Sequence, residues 1–347
     1  MNQEFSRILR DWYHKNGRNL PWRTTRDPYK IWLSEIILQQ TRVDQGLPYY
    51  LRFIEAFPRV ELLAAAPEDE VLRLWQGLGY YSRARNLQSA AKQVVSEFNA
   101  RFPADYNSIK SLKGVGDYTA AAIASFAFDL PHPVVDGNVY RFLSRFAGID
   151  TPIDSTEGKK AFATLAAELF DPQHSAEHNQ AMMEMGALLC KPANPDCDAC
   201  PFSMACHAYI YGKTADLPVK GKKTKVRKRY LHYFLLSHRD TFLVRKRSGK
   251  DIWTGLYELP LIEAEQPIDD PGPELKKLLP NNRYRPVGKT VHLKHLLSHQ
   301  ELHVSFWHLE CDKAPHLQGY QQLHRDHHNA YGFPQLIIRY FRQIGWT

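Results

Sequence analysis

Four of the five cysteines in this 347-residue chain fall within seventeen residues, Cys190, Cys197, Cys200 and Cys206, in the pattern C-x6-C-x2-C-x5-C. Four thiols in so short a span can enclose one metal centre, either a [4Fe–4S] cluster or a zinc ion, and such clustering belongs to a reducing compartment. Zinc sites usually present two C-x2-C knuckles separated by a longer spacer. Only one knuckle exists here, so the spacing favours the iron–sulfur cluster and leaves zinc as the alternative. Disulfides do not suit a chain of this kind. Cys311, the fifth, reads as a buried small apolar residue.

From about Phe5 to Ala208 the sequence reads as helix after helix. Helical spacing shows in Ile31, Trp32, Glu35, Ile36 and Leu38 and again across 120–128, with Pro21, Pro58, Pro67, Gly114, Pro131 and Pro152 as punctuation. The first part is therefore expected to be an all-α domain over 1–212. Residues 213–229 read as a basic interdomain linker, with eight Lys or Arg against the single acid Asp216, a net +7 of the chain's formal +8. A solvated linker and a phosphate-contacting segment are equally good readings of that run. Strand texture follows in 230–236, 241–244 and 301–307, with a closing helix near 334–342, so 230–347 is expected to be a separate α+β domain. No run of eighteen apolar residues occurs, and Met1 to Arg10 has no signal core, so a cytoplasmic, nucleoid-associated protein is expected rather than a membrane one.

Leu112-Lys113-Gly114-Val115-Gly116-Asp117-Tyr118-Thr119-Ala120 is a glycine turn leading into an Ala-rich helix. Gly114 and Gly116 let the backbone approach a phosphate, and the helix start offers unpaired N–H groups. The segment about 106–128 reads as a helix–hairpin–helix grip on the DNA backbone. Two carboxylates stand out. Asp136 follows Val134-Val135 and precedes a helix start, which suits an N-cap. Glu35 sits in an otherwise apolar helical stretch, where desolvation would raise its pKa into the range a general acid needs. By itself such an acid is more often a structural hydrogen-bonding residue.

Together with Pro21-Trp22-Arg23, the stretch from Ser34 to Thr41, Gln76-Gly77-Leu78-Gly79-Tyr80-Tyr81 and Val135-Asp136-Gly137-Asn138-Val139, these segments resemble the helix–hairpin–helix DNA glycosylase superfamily, and specifically its MutY-type adenine glycosylases, over nearly the whole chain. The resemblance implies an enzyme of base excision repair, a hydrolase of the N-glycosidic bond of adenine mispaired with 8-oxoguanine or guanine in double-stranded DNA, acting as a monomer. It implies Glu35 as the acid that protonates adenine at N7 and Asp136 as the carboxylate that stabilises the cationic sugar. It implies a [4Fe–4S] cluster on Cys190, Cys197, Cys200 and Cys206. Gln40 and Tyr80 match residues that wedge into the base stack, and Trp22, Arg23 and Leu38 match the wall of the adenine pocket. Thr41, Leu78, Gly114 and Gly116 fall in the DNA-contact motifs. Tyr118 stands where endonuclease III-like relatives carry the lysine that forms a Schiff base and cuts the strand, so a glycosylase without lyase activity is expected.

The second domain resembles a Nudix fold that reads 8-oxoguanine, through the tract from Trp253 to Pro260. The carboxylate helix of a Nudix hydrolase is missing, and Glu263, Glu265, Asp269 and Asp270 are scattered on what reads as a Pro-interrupted loop. Leu297-Ser298-His299 stands where the family typically has Phe-Ser-His, so Ser298 and His299 are the expected lesion contacts, and Leu297 departs from the pattern. His292, His295, His299 and His303 imitate a metal box but fall on strand and loop. Met182, Met183 and Met185 read as core. An endonuclease III-like glycosylase/lyase and a non-catalytic DNA-binding relative are the alternatives.

Overall fold

The structure is a computed structural model describing residues 2–221, 226–280 and 282–346. It contains two compact units, Met1–Ala64 with Ser89–Lys223 and Ala65–Gln88 with Thr224–Thr347.

The first unit is helical. Its helices are α1 (Asn2–Asn16), α2 (Pro28–Leu38), α3 (Val43–Ala56) and α4 (Val60–Ala65). After the segment 65–88 come the end of α6 (Ser82–Glu97), then α7 (Tyr106–Ser111), α8 (Asp117–Phe128), α9 (Gly137–Ala147), α10 (Thr156–Leu169), α11 (Ser175–Glu184) and α12 (His207–Ile210). A π-helical turn, Met185–Leu189, directly continues α11. Local chemistry explains the key starts. Asp27 caps α2 by accepting from Tyr29 N at 3.0 Å, with Pro28 at the first helical position. In α8 every residue from Thr119 to Ala127 is buried, and its alanines let α2 pack closely against it. Phe5, Leu9, Val139, Phe142, Leu143, Phe162, Met182 and Met185 form the core, with Met183, Cys190 and Cys200 at its margin.

The second unit holds α5 (Glu68–Leu74), the start of α6, and an eight-stranded sheet: β1 (Arg227–His238), β2 (Thr241–Lys246), β3 (Tyr257–Glu258), β4 (Leu261–Ala264), β5 (Tyr284–Pro286), β6 (Val291–Leu296), β7 (Gln300–Cys311) and β8 (Gln321–His324). The parallel pair β1–β7 is its spine, registered from Arg227 opposite Gln300 to Ser237 opposite Glu310. Alternation along β1 supplies both faces. Leu231, Tyr233 and Leu235 enter the core with Leu336, Ile337 and Phe341 of α14 (Gln335–Gln343). Phe234 and Leu236 pack with Leu275 of α13 (Gly272–Leu278), and Cys311 is buried on that side. No described helix is long and apolar enough to cross a membrane.

Two boundaries differ from the sequence reading. Segment 65–88 belongs with the sheet, because its side chains pack there: Arg85 donates to Thr254 O, and Lys246 Nζ meets Asp69 Oδ1 at 2.5 Å. The basic run is also no free linker over 213–229. Leu217 is buried and its carbonyl accepts from Arg145 Nε at 3.0 Å, while Val219 O accepts from Ile153 N at 3.1 Å, both within the first unit. At the other end Arg229 is inside β1, ion-paired with Asp251 at 2.8 Å and Glu263 at 2.6 Å, so it is not available to phosphate. Lys222, Lys223 and Lys225 lie outside the described residues. Glu263 is likewise on β4, not on a loop.

Candidate active site

A cavity of about 480 Å³ opens in the first unit, and α2, α8, the start of α9 and the end of α11 supply its walls. Glu35 projects into it from α2 with 6% of its surface exposed. Tyr118, from the first turn of α8, donates its hydroxyl to Glu35 Oε2 at 3.0 Å. Burial pushes the Glu35 carboxyl up to about 7, Asp136 adds to that rise, and the Tyr118 bond and Arg23 oppose it. An acid that is half protonated near neutrality results, as its place in an apolar helix led one to expect.

Asp136 lines the same cavity and caps α9. Its Oδ1 accepts from Asn138 N at 2.9 Å and Val139 N at 2.8 Å, and its Oδ2 from Asn138 Nδ2 at 2.7 Å. Burial raises its pKa, and these three bonds pull the other way. The two carboxylates thus share a cavity, Asp136 with three donors on its charged form and Glu35 with the Tyr118 hydroxyl.

Trp22, Arg23, Leu38, Gln40 and Thr41 all line this cavity. Trp22 is buried edge-on against Tyr50, with ring centroids 5.0 Å apart. Gln40 is exposed at the mouth with φ +54°, a left-handed backbone that a non-glycine residue keeps only where its surroundings enforce it. Arg23 does not point freely at a ligand. Its Nη2 lies 2.8 Å from Glu184 Oε1, and Glu184 also takes the guanidinium and backbone N–H of Arg18. Burial would push Glu184 upward, yet those guanidinium bonds hold it down at about 2. Sequence reasoning missed Glu184, although it is an acid in the apolar run Ala181-Met182-Met183-Glu184-Met185, the same signal that marks Glu35.

Comparison with known proteins gives the chain its family. A family model for HhH-GPD superfamily base excision DNA repair proteins matches residues 33–169, and one for the NUDIX domain matches 232–343. An adenine DNA glycosylase of Buchnera aphidicola subsp. Baizongia pistaciae is 36% identical over 304 residues, spanning 87% of this chain and 84% of that protein. The chain belongs to the adenine DNA glycosylase family. The mouse adenine DNA glycosylase is 43% identical over 59% of this chain and 42% of its own length. Among solved structures, a thermostable thymine-DNA glycosylase shares 29% identity at a TM-score of 0.56, covering 60% of this chain and 97% of that one. Endonuclease III in a trapped covalent DNA complex shares 21% identity at 0.53, over 61% and 98%, a likeness of fold.

Within this adenine DNA glycosylase chain the hairpin is formed by α7, a turn and α8. Gly114 has φ +79°, and Gly116 is the bare N-cap of α8, where an added Cβ would meet nothing within 4 Å. The helix start is not purely positive. Asp117 sits in its first turn, bonded by Tyr106 OH at 3.0 Å and paired with Lys110, which neutralises it.

All four clustered cysteines line one small cavity with Phe142, Leu189 and Phe202. Arg145 Nη1 lies 3.4 Å from Cys190 Sγ, and its backbone carbonyl 3.4 Å from Cys206 Sγ. Among the described residues no group of three His, Cys, Asp or Glu could hold a single metal ion. This loop and Asp136 are joined through Arg141. Its guanidinium donates to Cys190 O at 2.6 Å, to Gly186 O at 2.6 Å and to Asn138 Oδ1 at 2.9 Å, and Asn138 in turn holds Asp136. The π turn places Gly186 so close to Asn138 that a Cβ would lie 2.5 Å from its carbonyl oxygen.

In the second unit a cavity of about 580 Å³ gathers Leu78, Tyr80, Trp253, His295, Leu297, Ser298 and His299. The hydroxyls of Tyr80 and Ser298 are in hydrogen-bond contact. Tyr80 is 45% exposed at φ +48°, whereas Leu78 is buried. Leu297 packs on the core while Ser298 and His299 are exposed. The other histidines diverge as strand placement requires, His292 to Ser305 Oγ at 3.0 Å and His303 to Glu301 at 2.8 Å.

Proposed function

We propose that this chain excises adenine opposite 8-oxoguanine, and more slowly opposite guanine, from duplex DNA by hydrolysis without cutting the strand. The observation that carries the reading is the pairing of Glu35 and Asp136 in one cavity with unequal environments. Glu35, near neutrality in its titration, donates a proton to the departing base. Asp136, fixed by three donors, faces the positive charge that builds on the sugar. Closing off water strengthens both effects.

The reading without lyase chemistry is supported by what stands in the first turn of α8, beside Glu35. Tyr118 offers a phenol already bonded to the acid, and among the described residues no lysine lines the cavity. Gln40 and Tyr80, both held in left-handed backbone, suit residues that enter a base stack, since strain of that kind gathers at working positions. Extrusion of a base from the stack is the step that such residues would assist.

The cysteine loop fits a [4Fe–4S] cluster. Its four thiols line one cavity, and the single C-x2-C knuckle departs from the paired knuckles usual for zinc. Cys190, Cys197, Cys200 and Cys206 would hold the cluster, which when bound ties the loop into one rigid body. Loss of the cluster would loosen Cys190 O, and through Arg141 and Asn138 the hold on Asp136.

Single-turnover adenine release from duplexes carrying adenine opposite 8-oxoguanine, guanine or thymine tests the reading. Rates should fall in that order. Equal rates on all three would contradict it.

A further inference from the structure

Two aromatic residues among those described hold positive φ, and both line the second unit's cavity: Tyr80 at +48° and Trp253 at +60°. Gln40 aside, the remaining non-glycine cases are Asn99, Ala100, Asp129, Asn194 and Arg239. For an indole this backbone is costly, and glycine or asparagine would adopt it more easily. The surrounding loop is built to enforce it. Thr254 Oγ1 lies within hydrogen-bond distance of both Gly249 O, at 2.8 Å, and Asp251 O, at 2.7 Å, and its one proton can serve either, while Asp251 is clamped by Arg229 and Arg247, each at 2.8 Å. Arg247 Nε also donates to Ile252 O at 3.1 Å, and Leu256 N to Trp253 O at 3.0 Å.

What this bracing presents is a half-buried indole, one side against the core and its ring 6.2 Å from that of His295. The same cavity wall carries Tyr80 and the loop of Ser298 and His299. A residue needed only for packing has no reason to remain in a strained conformation that a smaller residue would relieve. An aromatic ring lining the same cavity as the Tyr80 and Ser298 hydroxyls offers a purine base a stacking face and hydrogen-bonding groups.

We infer that Trp253 is a specificity-determining residue of the lesion side, which with Tyr80 and Ser298 forms the surface that recognises the 8-oxoguanine base. This rests on the 8-oxoguanine reading proposed above.

The test measures single-turnover adenine release from A:8-oxoguanine and A:guanine duplexes for the unchanged protein, Trp253→Ala and Trp253→Phe, with folding checked by thermal melting. Loss of a base-stacking aromatic should reduce the 8-oxoguanine-to-guanine rate ratio about tenfold in Trp253→Ala. Trp253→Phe keeps the ring and removes the N–H, so its ratio should fall between the two. If the unchanged protein shows a ratio of one, the lesion reading itself fails and this inference with it. If the unchanged protein discriminates and a folded Trp253→Ala or Trp253→Phe retains its full ratio, the inference alone is overturned. Should Trp253→Ala not fold, the Trp253→Phe ratio decides.

Discussion

The Tyr118 hydroxyl lies 3.0 Å from Glu35 Oε2, in the cavity that also contains Asp136. That bond favours the charged form of Glu35 against a burial that favours the neutral one, so Tyr118 sets how far the acid's pKa rises. In Tyr118→Phe the opposing bond is gone, and the high-pH limb of the rate profile should move to higher pH. A pH series of single-turnover rates reads this directly, and an unmoved limb would show that Tyr118 does not act on Glu35.

Glu35→Gln removes the proton donor while keeping shape and hydrogen-bonding capacity. Base release should fall on the order of 10²–10⁴-fold, with duplex affinity largely kept. Near-normal turnover in this variant would remove Glu35 from its role.

The same carboxyl makes a prediction about stability. Its folded pKa of about 7 lies above its ordinary 4.5. Between those values the folded chain holds a proton that the unfolded chain has released, so the stability it contributes is full below 4.5 and is lost as pH rises to 7. The difference of about 2.5 units corresponds to roughly 3 kcal/mol. Asp136, also raised, acts in the same direction. Glu35→Gln should therefore be more stable than the unchanged protein at pH 8 and lose that advantage at pH 4, as thermal melting at the two pH values would show.

Arg141 bridges the cysteine loop and Asp136 through Cys190 O, Gly186 O and Asn138. In Arg141→Met the carbonyls lose a charged donor, at a cost of about 3 kcal/mol. Asn138 would hold Asp136 less firmly, the Asp136 pKa would rise further, and the low-pH limb of activity should move upward. Chemical denaturation and the pH profile together separate the two effects. A stability loss with an unmoved limb would confine Arg141 to the loop.

Gly186→Ala forces a methyl against the Asn138 carbonyl at 2.5 Å. Overpacking of this kind costs roughly 1–3 kcal/mol, and because the carbonyl cannot leave its helix turn, slower base release should accompany the lower melting temperature.

Much of this site was legible from residue types alone. Glu35 announces itself as an acid within Ile31-Trp32-Leu33-Ser34-Glu35-Ile36-Ile37, and Asp136 as a cap before a helix start; both signals are local, and the structure keeps them. The four cysteines are equally local. What could not be read depends on tertiary contact. Arg141 looks like any surface arginine of a helix until Cys190 O and Gly186 O arrive from elsewhere in the chain. The assignment of 65–88 to the sheet unit rests on Arg85 and Asp69 finding partners well over a hundred residues away. The burial of Arg229 among Asp251 and Glu263 likewise turns a residue counted in a basic linker into part of a strand. Backbone strain at Tyr80 and Trp253 leaves no mark in the sequence, because neither is a residue type that prefers positive φ.

The central claim is hydrolytic adenine excision by Glu35 and Asp136 with no amine nucleophile. It is tested most directly with an end-labelled duplex carrying adenine opposite 8-oxoguanine, split into samples analysed with and without alkali, beside a thymine glycol duplex. The account predicts cleavage of the adenine strand only after alkali, none in Glu35→Gln, and no action on thymine glycol. Strand cleavage without alkali, or excision of the pyrimidine lesion, would contradict it.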